Sequence, residues 1–386
     1  MSRKLIYLVT EDWYFVSHRL PMARAAREAG FEVHVAARVT NHREAIEREG
    51  FVLHALDWER GSLDALHLVR ITAAVRRLYR ALQPALVHHV AIAPTIVGSL
   101  AAIGMPFTKL NALAGLGFVF TSRDPKARVA RRPLSILLRC MLRRKNTWVL
   151  VQNADDRDAI ESIGVPPEKI TIIAGSGVDT QKLQAVPEPS PPIVAAFVGR
   201  LLYDKGLATL ISAYRELQNR RIPVRLLIAG ESDAANPASV PQKLLDQWKE
   251  IDGVTFLGHV DDIRNVWRRA HIAVLPSRRE GLPLSLLEAA ACGRPLIATD
   301  VPGCREIARA GVNALLVPPD NPHALADAIA ELAADAALRG RFGAASRHLA
   351  ESEFSTIRVG REIAELYRVL AGDRLTGSDP VKRRDK

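Results

Sequence analysis

Short apolar runs of strand length alternate along the chain with longer stretches in which apolar residues recur every three to four positions. That alternation is the signature of parallel sheets with crossover helices. In the first half the strands are expected over Lys4–Thr10, Glu32–Ala37, Phe51–Ala55, Leu86–Val90, Lys109–Leu113, Thr147–Gln152 and Ile170–Ala174. A helix over Pro21–Ala29 should stop at Gly30, a residue that takes the left-handed conformation after a helix end without strain. The alternation pauses at Gln184–Pro192, where QAVPEPSPP places four prolines in nine residues. It restarts with Ile193–Gly199, Arg225–Gly230, Val254–Gly258, Ile272–Ser277, Pro295–Asp300 and Ala314–Val317.

The expected fold is α/β, two Rossmann-like domains facing across a central cleft. The first spans 1–183, a Pro-rich linker 184–192 and the second domain 193–355. A helix over 356–371, free to return to the first domain, precedes a charged tail over 372–386. Open sheets of this kind bind ligands beyond the carboxyl ends of their strands, so the loops there are where chemistry is sought.

Composition agrees with a large core: 386 residues, 48% hydrophobic and 25% charged, with a mean hydropathy of +0.02. Cys140, Cys292 and Cys304 are an odd number without metal or redox spacing, which suits a reducing compartment. The start MSRKLIYLVTED breaks its apolar run at Glu11 and Asp12, too early for a signal peptide, so a cytoplasmic protein is expected. The uncharged stretch between Arg80 and Lys109 is interrupted by Pro84, Pro94 and Pro106 and reads as strand, turn and small-residue helix (Thr95–Ile103) rather than a membrane span.

The net charge of +11 is concentrated early, with 25 basic against 16 acidic residues over 1–175. Nine basic residues and one acidic residue lie in Thr121–Lys145, interleaved with Leu134, Ile136, Leu137, Leu138, Met141 and Leu142. Such a basic amphipathic stretch either docks on an anionic membrane surface or packs its apolar stripe on its own domain. Nucleic acid is not an expected partner, because no aromatics alternate with the arginines.

The densest chemistry lies in Pro276–Gly303. Glu280 and Gly281 follow a strand, Pro283 is expected at the first helical position, and the helix should run to Cys292. Backbone N–H groups around Gly281, Leu282, Pro283 and Leu284 would then form an anion site at a helix start, with Glu280 and Glu288 offering acceptors to sugar hydroxyls. Arg200 and Lys205, beyond the strand ending at Gly199, should reach the same point and suit a diphosphate. Gly230 and Glu231, then Gly258, His259 and Val260, occupy equivalent strand-end loops where a base or ribose would approach the backbone. In the first domain, the expected loop Glu11–Arg19 carries His18 and Arg19, with Ser17 alternatively a helix cap. At least one of His88 and His89, which alternate faces, is expected in the core.

Glu280-Gly281 and Glu288-Ala289, eight positions apart after Pro276-Ser277, resemble the E-x7-E signature of glycosyltransferase family 4, retaining enzymes of the GT-B fold. Gly199-Arg200-Leu201 with Lys205-Gly206 is similar to that family's G-R-x-x-x-x-K-G element, and Gly175-Ser176-Gly177-Val178-Asp179 to its N-G-V-D turn. Gly115-Leu116-Gly117-Phe118-Val119-Phe120 resembles a stretch in members that build bacterial surface glycans on lipid carriers. Many members carry a histidine near the position of Ala114; its absence here leaves His18 or His89 to supply that polar contact.

The resemblance implies transfer of a hexose-type sugar from a nucleotide diphosphate, UDP expected, to a polyprenyl-diphosphate-linked glycan acceptor in bacterial polysaccharide biosynthesis, on the inner leaflet of the plasma membrane. It implies no cofactor and no metal, with Arg200 and Lys205 on the leaving diphosphate, Glu280 on the sugar, Glu288 on the ribose, and His18, Arg19, Gly115 and Gly117 on the acceptor side. The alternatives are a nucleotide-sugar 2-epimerase on the same architecture, which needs no acceptor, and a non-catalytic binder of anionic membranes or nucleic acid through Thr121–Lys145.

Overall fold

The computed structural model describes residues 3–59, 64–113, 125–233, 236 and 238–372. The chain forms two compact units, Met1–Gly177 with Thr356–Lys386, and Val178–Ser355. Each is built on a parallel sheet.

In the first unit the strands are β1 (Arg3–Glu11), β2 (Phe31–Arg38), β3 (Val52–Ala55), β4 (Leu86–Val90), β5 (Thr108–Ala112), β6 (Thr147–Val151) and β7 (Ile170–Ile172). Their order is β3-β2-β1-β4-β5-β6-β7. In the second they are β8 (Ile193–Val198), β9 (Val224–Ala229), β10 (Val254–Gly258), β11 (Ile272–Leu275), β12 (Leu296–Thr299) and β13 (Ala314–Val317), ordered β10-β9-β8-β11-β12-β13. Both are doubly wound: strand order reverses between β1 and β4 in one sheet and between β8 and β11 in the other, and such switch points are where these sheets open a crevice for ligands.

Every expected strand forms, with ends moved by at most two residues. The segment expected as the loop Glu11–Arg19 is instead largely a helix, Asp12–His18. Asp12 anchors its start: its buried carboxylate accepts from the N–H of Trp13 at 2.7 Å, of Thr40 at 2.6 Å and of His42 at 3.0 Å, and from Thr40 Oγ1 at 2.6 Å. Burial raises its pKa, yet the hydrogen bonds prevail and hold the carboxyl below its ordinary range. The small-residue helix begins earlier than expected, at Ile92, because Pro94 falls in a first turn that needs no N–H partner. No helix among the described residues is long and apolar enough to cross a membrane.

The helix Thr356–Leu370 packs on Leu20–Glu28, with Gly360 against Ala25. Tyr367 Oη lies 2.6 Å from Tyr7 Oη and 2.7 Å from His88 Nδ1, all three side chains being buried. This helix therefore contributes Val359, Ile363, Leu366, Tyr367 and Leu370 to the core of the first unit. The Pro-rich stretch is strapped along the second unit: Val186 N–H donates to Cys292 O at 3.2 Å, Arg294 Nη2 to Pro187 O at 2.8 Å, and Arg339 Nη2 to Glu188 at 2.6 Å.

The basic helix runs from Pro125 to Leu142. Its apolar residues divide: Leu138, Met141 and Leu142 are buried in the first unit, whereas Ile136 and Leu137 are 63% and 38% exposed.

Candidate active site

At the β8/β11 switch point two loops meet. After β8, Gly199 leads into a single 3-10 turn, Tyr203–Lys205, closed by Gly206 in the left-handed region (φ +73°). A Cβ on Gly206 would fall on Pro276 O, so only glycine lets this turn lie on the end of β11. Arg278 N–H donates to Asp204 O at 2.8 Å and the Arg279 guanidinium pairs with the Asp204 carboxylate, locking the loops together. Gly303 serves the same end from below, its Cα packing on the backbone of Glu280 and Gly281.

The result is a convergence that sequence spacing alone could not place. Lys205 Nζ donates to Glu280 Oε1 at 2.6 Å, and Ser277 Oγ donates to the same oxygen at 2.6 Å. Thr299 Oγ1 in turn fixes Ser277 by donating to its carbonyl. The Glu280 side chain is 8% exposed and that of Lys205 is 23% exposed. With both donors on Oε1, Oε2 can accept from a hydroxyl, and Lys205 keeps two N–H groups for an anion.

The helix that follows is Leu284–Ala291, with Gly293 just past its end in the left-handed region. Pro283 caps it rather than occupying the first helical position: its φ and ψ of −73° and 114° are extended, and its carbonyl accepts from Leu286 and Leu287. The N–H groups of Leu284 and Ser285 precede the first intrahelical acceptors, so the helix start remains a phosphate-type site beside Glu280.

Arg200 is held elsewhere, its Nη1 lying 3.4 Å from Asp233 Oδ2, with the side chain 46% exposed. The structure thus gives the two cations different carboxylates instead of one shared point. The glycines at the neighbouring strand ends stack backbone on backbone: Gly230 N–H donates to Gly258 O at 2.8 Å, and a Cβ on Gly230 would strike Gly199 O. Glu231 Oε1 accepts from His259 N–H at 3.3 Å, leaving the His259 ring and Val260 at the surface of the same loop. Glu288, in the second turn of the helix, is half-buried, and loss of water pushes its carboxyl up to about 8 against the pull of Lys182. No described side chain hydrogen-bonds it within the Lys205–Glu280–Ser277 cluster.

In the first unit the two expected acceptor-side residues differ sharply. His18 is half-buried and stacks on Tyr14, ring centroids 4.4 Å apart, with Nδ1 2.6 Å from Ser17 Oγ. Arg19 is buried, its Nη1 donating to Ser176 Oγ at 3.1 Å and to His18 O at 2.8 Å, which ties the end of the first helix to the turn at Gly175–Gly177. Ser17 does not cap the next helix; its hydroxyl donates to Trp13 O at 2.8 Å. His88 and His89 are both core residues. His89 lies between Asn111 Oδ1 (2.8 Å from Nδ1) and Tyr79 Oη (2.9 Å from Nε2), and burial brings its pKa down to about 4, so it cannot supply the contact missing at Ala114. Ala114, Gly115 and Gly117 lie outside the described residues.

Sequence reasoning missed Ser277, Thr299, Asp204 and Asp233 as site residues. Only Ser277 had a signal, the Pro-Ser pair closing a strand.

Residues 192–335 match the family model described as Glycosyl transferases group 1, and residues 4–153 match that described as Glycosyl transferase 4-like. The chain is a glycosyltransferase of the GT-B fold. This glycosyltransferase is 23% identical to the N,N'-diacetylbacillosaminyl-diphospho-undecaprenol alpha-1,3-N-acetylgalactosaminyltransferase of Campylobacter jejuni, over 83% of this chain and 87% of that one. It is 28% identical to the capsular polysaccharide biosynthesis glycosyltransferase CapM of Staphylococcus aureus over 45% of each chain. Among solved structures it superposes on the sucrose-phosphate synthase of Thermosynechococcus elongatus with a TM-score of 0.80 at 21% identity, covering 95% of this chain and 99% of that one. The Anabaena Alr3699/HepE structure in complex with UDP and glucose gives 0.76 at 18% identity over 95% and 99%. These likenesses establish the fold, and the family assignment sets aside the epimerase and the non-catalytic binder.

Proposed function

We propose that this glycosyltransferase moves a hexose-type sugar, hexose or N-acetylhexosamine, from a UDP-linked donor to a polyprenyl-diphosphate-linked glycan in bacterial polysaccharide biosynthesis, with retention at the anomeric carbon. The observation that carries this reading is the Lys205–Glu280–Ser277 cluster beside the start of the helix Leu284–Ala291. A cation, two first-turn N–H groups and a carboxylate with one oxygen unspent match a diphosphate joined to a polyhydroxylated ring.

On donor binding Lys205 exchanges part of its bond with Glu280 for a phosphate oxygen, and Arg200 turns from Asp233 to the same group. Glu280 then accepts from the sugar hydroxyls through Oε2. As the anomeric C–O bond breaks, charge grows on the leaving diphosphate, where these cations and N–H groups act without a metal ion. The acceptor hydroxyl attacks from the face the diphosphate leaves, and its proton passes to a diphosphate oxygen. Glu288 holds the ribose and His18 serves the acceptor, while the buried Arg19, expected on the acceptor side, instead holds the helix end behind His18.

The named substrates of the Campylobacter relative and the UDP of the Anabaena complex support this donor and acceptor class. Exposed Ile136 and Leu137 on a helix rich in arginine support reversible docking at the inner leaflet. The deciding experiment is a donor panel with a polyprenyl-diphosphate-linked glycan, the product anomer being read by NMR. Transfer from a UDP-sugar with the donor's anomeric configuration is expected; inversion, or turnover only with a nucleotide other than UDP, would refute the reading.

A further inference from the structure

At the amino ends of β5 and β6, the far end of the first sheet from Glu11 and Val90, the first unit carries an open-mouthed cavity of about 220 Å³. Two of its lining side chains are polar, more than nine-tenths buried and unmatched. Lys109, the second residue of β5, is 8% exposed, and Ser99, on the helix Ile92–Ala101, is 6% exposed with its Oγ lacking a partner among the described residues. Lys109 has no ion pair among them either. Its nearest ring is Phe107, 6.0 Å from Nζ, and the charge that bears on it, Arg144, is also positive. Burial and that like charge hold the Lys109 ammonium below the ordinary lysine range.

Arg144 and Lys145 stand exposed at the rim, directly after the helix Pro125–Leu142, and none of the described lining residues is acidic. Lysines at protein surfaces send the ammonium to bulk water along an apolar stem. Lys109 instead lines a small cavity beside an unpaired buried hydroxyl, with two further cations exposed at its rim, an arrangement that favours entry of an anion with acceptor oxygens. The volume is below the roughly 300–1,000 Å³ of sites for drug-sized molecules, so a nucleotide is excluded and a single phosphate group on a short polyol fits.

We infer that this cavity binds a phosphate ester through Lys109, Ser99, Arg144 and Lys145. The site is separate from the donor site on the second unit, and a lipid headgroup and a soluble polyol phosphate share the chemistry it recognises.

The test is thermal unfolding of the full chain with and without saturating sn-glycerol 3-phosphate, together with sedimentation with phosphatidylglycerol vesicles. Wild type and Lys205→Met, which alters only the donor site, should both rise in Tm by roughly 2–4 °C with the ester. Lys109→Met and Arg144→Gln should not respond; Arg144 is exposed, so its variant keeps the test valid if Lys109→Met fails to fold. If these variants also lose about fivefold in vesicle binding, as one lost charge near an anionic surface predicts, the natural ligand is a lipid headgroup. Unchanged vesicle binding with a lost ester response assigns a soluble phosphate ester. No Tm rise in wild type, or a rise preserved in Arg144→Gln and in any folded Lys109→Met, overturns the site.

Discussion

Lys205 and Glu280 are 75 positions apart in sequence and joined by a 2.6 Å bond between Nζ and Oε1. The pairing keeps a nearly buried carboxylate supplied with a counter-charge before any donor arrives. It also means that the lysine is already positioned when a phosphate competes for it.

Lys205→Met should therefore lower turnover by about 10²-fold or more while leaving the fold intact, since the lost group meets charge that grows only as the leaving diphosphate departs. Single-turnover kinetics at saturating donor measure this. Arg200→Gln, which removes a half-exposed side chain 3.4 Å from Asp233, should show the same sign. Wild-type rates in both variants would remove the diphosphate from this corner of the sheet.

Glu288 gives a pH signature. Its carboxyl, ordinarily near 4.5, is raised to about 8 in the folded chain, so between those values the folded state holds a proton that the unfolded state has released. Its contribution to stability thus falls as pH rises from about 4.5 to about 8 and is flat beyond. Glu288→Gln should flatten this part of the profile and stabilise the protein most above pH 8, as denaturant unfolding across pH would show. Because glutamine mimics the neutral acid, UDP affinity of Glu288→Gln should stay close to wild type at pH 6.5, whereas Glu288→Ala should lose roughly 5–100-fold, equivalent to one or two hydrogen bonds. Calorimetric titration of UDP separates these outcomes.

Gly206→Ala tests the backbone contact beneath the cluster. The substitution meets both a left-handed φ and the Pro276 carbonyl, so it should cost about 1–3 kcal/mol in stability and displace Lys205. Urea unfolding and donor affinity should fall together; a fully stable, fully active variant would show that the turn does not rest on β11.

Tyr367→Phe should destabilise the first unit by about 1–3 kcal/mol, because it leaves the Tyr7 hydroxyl and His88 Nδ1 buried without their shared partner. Urea denaturation read at first-unit probes such as Trp13 should register the loss, while Trp267 in the second unit should not.

Membrane docking through the basic helix predicts that Ile136→Ser combined with Arg132→Glu and Arg139→Glu weakens binding to phosphatidylglycerol vesicles. Wild-type binding should fall with salt as the Debye length shrinks from about 10 Å at 0.1 M to 3 Å at 1 M. Equal binding by variant and wild type would make this an internal helix, a role its buried Leu138 and Leu142 already fill on the other face.

The strands were legible because short β-type apolar runs leave little ambiguity in a chain that alternates so regularly with helical stretches, and the glycines at 199, 206, 230 and 281 marked the loops that matter. What sequence could not supply was partnership. Nothing in the string EDWYFVSHR announces that Asp12 will gather Thr40 and His42 and anchor the start of a helix, since those partners come from beyond the next strand. Likewise Lys205 reads as a diphosphate ligand from its position but not as the counter-ion of Glu280, and His88 and His89 read alike until burial and the hydroxyls of Tyr79 and Tyr367 claim them.

The return of the helix Thr356–Leu370 to the first unit reverses the order in which the protein can be finished during translation. Val178–Ser355 is one continuous segment and can close its core as soon as it leaves the ribosome. The first unit is made earlier yet must wait, with Tyr7 and the groove beside Ala25 uncovered, until the final helix emerges and Tyr367 reaches across 360 residues of chain. A nascent chain halted before Thr356 would thus carry a completed second unit and a first unit still open along one apolar face, the state most in need of a chaperone.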